Sequence, residues 1–203
     1  MLRRTPAPAR TLRAMLDHFA RLDQPRRPWL EEAALKEAFH RATAQEHPDR
    51  AGGSGEMAST LNAAYAVLRD PAARLKHLLE LDWPDASLMP AGIAPDLAEM
   101  FGQIAALRQQ GAALKKREAA AQSPIGRALL AEEHAVHRRK IECGLAVLAS
   151  AEAAALGELR GLDAAWEQRD ETTRGRLAAA QQRFAFLAKW QLQLREDLFQ
   201  LGG

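Results

Sequence analysis

Residues 47–81 read HPDRAGGSGEMASTLNAAYAVLRDPAARLKHLLEL, and this stretch contains one loop, two helix starts and the transition between two helices. His47 to Gly55 cannot be helical throughout, because Pro48 and three closely spaced glycines interrupt it. Ser54 or Gly55 then caps a helix that ends near Arg69. Asp70 followed by Pro71 is an N-cap with proline at the first helical position, so the next helix runs from there to about Leu81. Upstream, Pro25 and Pro28 separate a helix over about Ala9 to Leu22 from one over about Trp29 to Glu46. Punctuation alone thus sets one helix on each side of His47 to Gly55.

The same reading extends to the C-terminus. Asp82 to Ala94, DWPDASLMPAGIA, has two prolines and a glycine and is the linker. Pro95 restarts a helix in which Leu97, Met100, Phe101, Ile104, Leu107 and Leu114 recur at three, four and seven, the pattern of a bundle helix. Ser123 and Pro124 begin a longer one, reaching about Gln168, with Gly144, Gly157 and Gly161 as places for a kink. A last helix, about Thr173 to Leu201, buries Leu177, Phe184, Leu187, Trp190, Leu194 and Leu198. β-branched residues form no alternating run, so the fold is all-α. The expected division is a tail over 1–10, a helical domain over 11–81, a linker over 82–94 and an antiparallel three-helix bundle over 95–203. A cut within 85–92 is therefore expected to release a fragment that folds by itself.

Composition limits what such a protein does. The 203 residues suit one ample domain or two small ones, and 47% hydrophobic with 27% charged residues is a globular balance. No apolar run approaches the roughly 20 residues of a bilayer span. Twenty-eight basic against 26 acidic residues, a net charge of +2, argues against a surface devoted to nucleic acid. The single Cys143 excludes an intramolecular disulfide and suits a reducing compartment. Arg3, Arg4, Arg10 and Arg13 precede any acid, but neither an apolar signal core nor a long Ser-rich segment follows; a cytoplasmic protein is expected.

His47-Pro48-Asp49-Arg50 is an HPD signature, with Phe39 eight positions before it and Leu61, Asn62, Ala64, Tyr65, Val67, Leu68, Asp70, Pro71 and Arg74 following in the order of a J domain's third helix. The segment resembles the J domain of the Hsp40 (DnaJ) superfamily. Common J domains end in tyrosine–aspartate after the arginine matching Arg74, whereas here the helix continues as RLKHLLEL, similar to the co-chaperone HscB (Hsc20 in eukaryotes). Phe184-Ala185-Phe186-Leu187-Ala188-Lys189 is similar to that family's RFLxKL segment. The resemblance implies an N-terminal J domain, a helical hairpin with its HPD loop, followed by the C-terminal bundle. It implies no enzyme and no cofactor, but a partner, an Hsp70 of the HscA or DnaK class, whose ATPase is stimulated. The implied client is an iron–sulfur scaffold protein held by the bundle.

The chemistry of the loop fits a docking role. Proline fixes its own φ and pushes His47 toward an extended backbone, leaving little entropy to lose on binding. Asp49 offers two oxygens to a bidentate arginine, which by resemblance belongs to the Hsp70. Lys36, His40 and Arg41 share a helical face leading to that loop and, with Arg50, steer toward an acidic partner. On the bundle, Phe186 lies about 200° around the helix from Phe184. Phe184 follows the buried stripe, so Phe186 looks outward; it either holds a client or packs on the long helix. By resemblance, Leu97 and Phe101 are its companions in client binding. The family's acidic FLMExxExRE pattern is mostly lost in Leu97-Ala-Glu-Met-Phe-Gly-Gln-Ile104, so an adaptor with another client stands beside the scaffold reading, and Leu97 to Asp170 is longer than usual for the family.

Other constellations are weaker. Glu133, His134, His137 and Glu142 sit on adjacent helical turns but have no further ligand segment, and no metal role is carried over. His137-Arg138-Arg139-Lys140 lacks interleaved aromatics and reads as solvated surface. No phosphate loop, nucleophile elbow or HExxH motif is present.

Overall fold

A computed structural model describes residues 17–45, 55–84 and 92–201. These residues are helical with no strand among them: α1 (His18–Arg21), α2 (Glu32–Gln45), α3 (Gly55–Arg69), α4 (Pro71–Asp82), α5 (Pro95–Ala120), α6 (Pro124–Ala164), a 3-10 turn (Trp166–Gln168) and α7 (Glu171–Gln200). The all-α expectation holds. Of the expected first helix, residues 9–16 lie outside the described residues, as does most of the expected linker.

The caps explain most boundaries. Asp17 accepts the Phe19 and Ala20 amides at α1, and Asp70 accepts the Ala73 amide at 2.8 Å with Pro71 in the first turn of α4. The Gly126 amide donates to the Ser123 hydroxyl at 3.0 Å, and the Thr173 amide to Asp170 at 2.7 Å, which holds the Asp170 carboxyl below its usual range. α2 starts at Glu32 rather than Trp29 because Pro28 and Trp29 are held by tertiary bonds instead. α6 runs unbroken through Gly144, Gly157 and Gly161, contrary to the expected kinks. At Gly144 a Cβ would lie 3.2 Å from Leu194 and 3.5 Å from Leu107, so the missing side chain lets neighbouring side chains reach the backbone, and packing offsets its helix cost. The helix stops at Ala164, before Gln168, where the chain tightens into the 3-10 turn and Arg169 turns left-handed at φ 44°.

The chain divides into two compact units, one of residues 1–90 with 158–181, the other of 91–157 with 182–203. Residues 158–181, expected in the bundle, thus cluster with the N-terminal helices. In the first unit α3 packs on α1, α2 and α4. Its buried side chains include Phe19, Leu35, Leu61, Leu68, Leu75 and Leu78. Arg74 is buried among them and donates from Nε to the Pro28 carbonyl at 2.9 Å and from Nη1 to the Leu68 carbonyl at 2.7 Å. It therefore closes the C-terminal end of α3 and pins the loop before α2. Burial lowers its guanidinium to about 10, which leaves it charged at neutral pH.

Residues 158–181 complete that core. Asp163 accepts the Trp29 amide at 3.2 Å and pairs with Arg27 at 2.9 Å. The buried Trp166 indole donates to the Arg26 carbonyl at 2.7 Å and meets Trp83 edge-on at 5.8 Å. Arg160 lies 4.5 Å over the Trp29 ring. Leu159, Leu162 and Leu177 are fully or nearly fully buried.

A second polar node lies under α1 and α4. Buried Asp17 takes Arg26 through Nε and Nη2 at 2.9 and 2.6 Å, and His77 Nε2 accepts the His18 amide at 3.1 Å. That acceptor role requires neutral His77. Burial, then the neighbouring His18 and Arg26, depress the His77 pKa to about 4 against the attraction of Asp17, and burial lowers His18 as well. Since the folded-state value lies below the ordinary 6.5, the neutral form stabilises the fold fully above pH 6.5, and this is lost as pH falls toward 4. Urea unfolding of the first unit between pH 7 and 4 is expected to show this loss, and His77→Gln, which keeps an acceptor but cannot titrate, to remove that component.

The second unit is built from α5, α6 up to residue 157 and α7 from residue 182. Arg117–Glu133 at 2.5 Å and Lys140–Gln110 at 3.5 Å set α5 antiparallel to α6, Asp96–Arg183 at 2.6 Å and Arg108–Asp197 at 2.8 Å set α7 parallel to α5, and Gln191 of α7 bonds Glu152 of α6 at 2.8 Å. The core repeats at seven residues on each helix: Leu97 and Ile104, Ile141 and Leu148, Leu187 and Leu194, with Trp190. His137 is buried against Gly111, where a Cβ would come within 2.7 Å of its Nε2, so only glycine admits the ring there.

Candidate partner-binding surfaces

The α2 sequence EAALKEAFHRATAQ turns Leu35 and Ala38 into the core and leaves Lys36, Glu37, His40 and Arg41 exposed, as a period of 3.6 requires. Phe39 stacks on Tyr65 of α3 at 4.4 Å, and Arg69 lies 5.9 Å over the other ring. This aromatic contact ties together the two helices on either side of 46–54. Lys36, His40 and Arg41 are each exposed, but Arg41 Nη1 is engaged by Glu37 at 2.9 Å, which reduces the positive field. His47, Pro48, Asp49 and Arg50 lie outside the described residues.

On the second unit the three expected client residues separate. Leu97 is 1% exposed and belongs to the core, so its role there is packing. Phe101 is 60% exposed. Phe186 is half-buried, its ring stacked at 5.4 Å on Trp190, while Phe101 approaches the same indole at 6.5 Å. Phe101 and Phe186 therefore flank one buried tryptophan. Asp96 and Arg183 form a 2.6 Å ion pair across α5 and α7, and this bond holds the Asp96 carboxyl below its usual range. Phe186 packs on the core through Trp190 of its own helix and remains partly exposed.

The residues once considered as metal ligands point to other partners. Glu133 binds Arg117, His134 sits 3.3 Å from Glu118, and His137 is buried against Gly111. Among the described residues no group of three or more His, Cys, Asp or Glu is placed to hold a metal. No described helix is long and apolar enough to cross a membrane. Sequence reading missed Trp166, Asp163 and the Asp17–His77 node; their signals are single residues without periodicity, and only Trp166, a large apolar ring in a polar stretch, was conspicuous.

The chain, whose described residues are helical and whose HPD sequence lies between α2 and α3, is similar to J-type co-chaperones of the HscB type over about a third of its length. An HscB homolog co-chaperone of Azoarcus sp. is 35% identical over 80 residues, 36% of this chain and 45% of that protein. The mitochondrial J-type co-chaperone JAC1 of Saccharomyces cerevisiae is 38% identical over 52 residues, 26% of this chain and 28% of that protein. The co-chaperone HscB of Proteus mirabilis is 31% identical over 78 residues, 34% of this chain and 45% of its own. The chain spans less than half the length of these curated relatives. No protein-family model matches it, and no solved structure does.

Proposed function

We propose that this protein is a cytoplasmic J-type co-chaperone, not an enzyme, that stimulates the ATPase of an Hsp70-class chaperone and brings it a client. The observation that carries this reading is the HPD loop set between α2 and α3, two helices tied by the Phe39–Tyr65 stack, in a chain similar to HscB co-chaperones. Asp49 supplies the carboxylate for an Hsp70 arginine; His47 and Pro48 present it. Arg50 and the α2 face of Lys36, His40 and Arg41 add electrostatic steering.

The client in this reading is an iron–sulfur cluster scaffold protein, held on the aromatic surface of Phe101 and Phe186. A different client is favoured by one observation: α5 presents an exposed phenylalanine with only Asp96 and Glu99 as acids between Pro95 and Ile104, and Asp96 is already paired with Arg183. Phe101→Ala is expected to weaken scaffold binding at least tenfold while changing stability by no more than about 0.5 kcal/mol, because the ring is mostly solvated in the free protein. Titration calorimetry against the purified scaffold, with a melting curve on the same preparation, checks it. An unchanged affinity gives the surface to another client.

A further inference from the structure

On α6, Ile125, Leu129, Val136 and Val147 are 76%, 64%, 42% and 48% exposed, and Cys143 is exposed with them. Their spacings of four, seven, seven and four place them along one side of the helix over about 33 Å. Glu132 and Lys140 occupy the same stripe, four residues before and after Val136, and both are exposed. Beside it, a cleft of about 950 Å³ between α5 and α6 is lined by Leu114, Leu129, Leu130 and Val136. Four apolar side chains and a thiol exposed along one side of a helix, interrupted by these two charges, are unusual unless something covers them.

The geometry points to a second copy of this chain as the occupant, its α6 lying antiparallel on this one with a two-fold axis at Val136. The stripe is self-complementary in that arrangement. Val136 meets Val136 on the axis, Leu129 faces Cys143, and Ile125 faces Val147. The two charged positions pair, Glu132 with Lys140 of the other copy and the reverse. A parallel alignment would instead set Glu132 against Glu132 and Lys140 against Lys140, which disfavours it. Lys140 carries only a long 3.5 Å bond to Gln110 within its own chain, so it is available for a closer partner. Such an interface is isologous and closes at two copies. A single helix pair lies at the small end of specific interfaces, so the association is expected to be weak and concentration-dependent.

Sedimentation velocity of the full chain up to about 100 µM is expected to show dimer formation. Glu132→Lys or Lys140→Glu alone puts like charges at both symmetry-related positions and is expected to raise the dissociation constant about tenfold or more, while the double swap restores it. In a Cys143→Ser background, Val136→Cys is expected to cross-link two copies under mild oxidation. Both charge positions are exposed, so helical circular dichroism stays unchanged. A chain that remains monomeric, single swaps without effect, a double swap that fails to restore association, or an absent cross-link each overturns the antiparallel dimer.

Discussion

Asp49→Asn is expected to reduce stimulation of a cognate Hsp70's ATPase to the basal rate while leaving the helical circular dichroism signal and the melting temperature unchanged. The substitution keeps the size and shape of the side chain but removes the charge and one of the two acceptor oxygens that a guanidinium grips. Losing one partner of a charge-assisted pair at an interface costs about 2–5 kcal/mol, or 30-fold to several thousandfold in affinity. Asp70 and the Phe39–Tyr65 stack cap and pair the helices without help from Asp49. His47→Gln tests the same loop and is expected to behave alike. Lys36→Ala, at an exposed steering position, is expected to cost only a few-fold, mainly in association rate and more at low salt. Steady-state ATPase measurements with and without each variant decide the matter. Full stimulation by Asp49→Asn would sink the J-type mechanism.

Trp166→Ala carries the largest expected effect on stability, about 3–5 kcal/mol, in the unit that contains α1 to α4. The indole is 3% exposed, meets Trp83 edge-on, and donates to the Arg26 carbonyl, which would be left without that bond. Urea unfolding should show an early transition for the first unit. Trp166→Phe should recover much of the loss, because it refills most of the space but not the hydrogen bond. The same contacts revise the expectation for a cut within 85–92. A fragment ending there lacks Asp163, Trp166 and Leu159, and is expected to melt below the corresponding transition of the full chain. Equal midpoints for Trp166→Ala and the parent chain would show that 158–181 contribute nothing to that core.

Helix identity and most helix boundaries were legible in the sequence because they depend on neighbours a few residues away. Asp70-Pro71 starts α4, Pro95 starts α5, Ser123-Pro124 starts α6, and sevenfold spacing names the core positions Leu97, Ile104, Leu187 and Leu194. The HPD signature is legible too, since its three residues are contiguous. What local chemistry could not supply was the identity of partners far along the chain. Gly157 and Gly161 break no helix, because the propensity cost of about 1 kcal/mol per glycine is small beside the packing of a 41-residue helix. Leu97 and Phe101, adjacent in the apolar pattern, diverge to opposite fates, one in the core and one at the surface, because four residues on a helix overshoot a turn by about 40° and only the neighbouring helices decide where shelter ends. Trp166 bonds the Arg26 carbonyl, and Asp163 the Trp29 amide and the Arg27 guanidinium, more than 130 positions earlier. Such contacts leave no periodicity to read; they exist only once the chain is folded, and it is burial of Trp166 with Leu159, Leu162 and Leu177 and the bonds of Asp163, not any motif, that join residues 158–181 to the first unit.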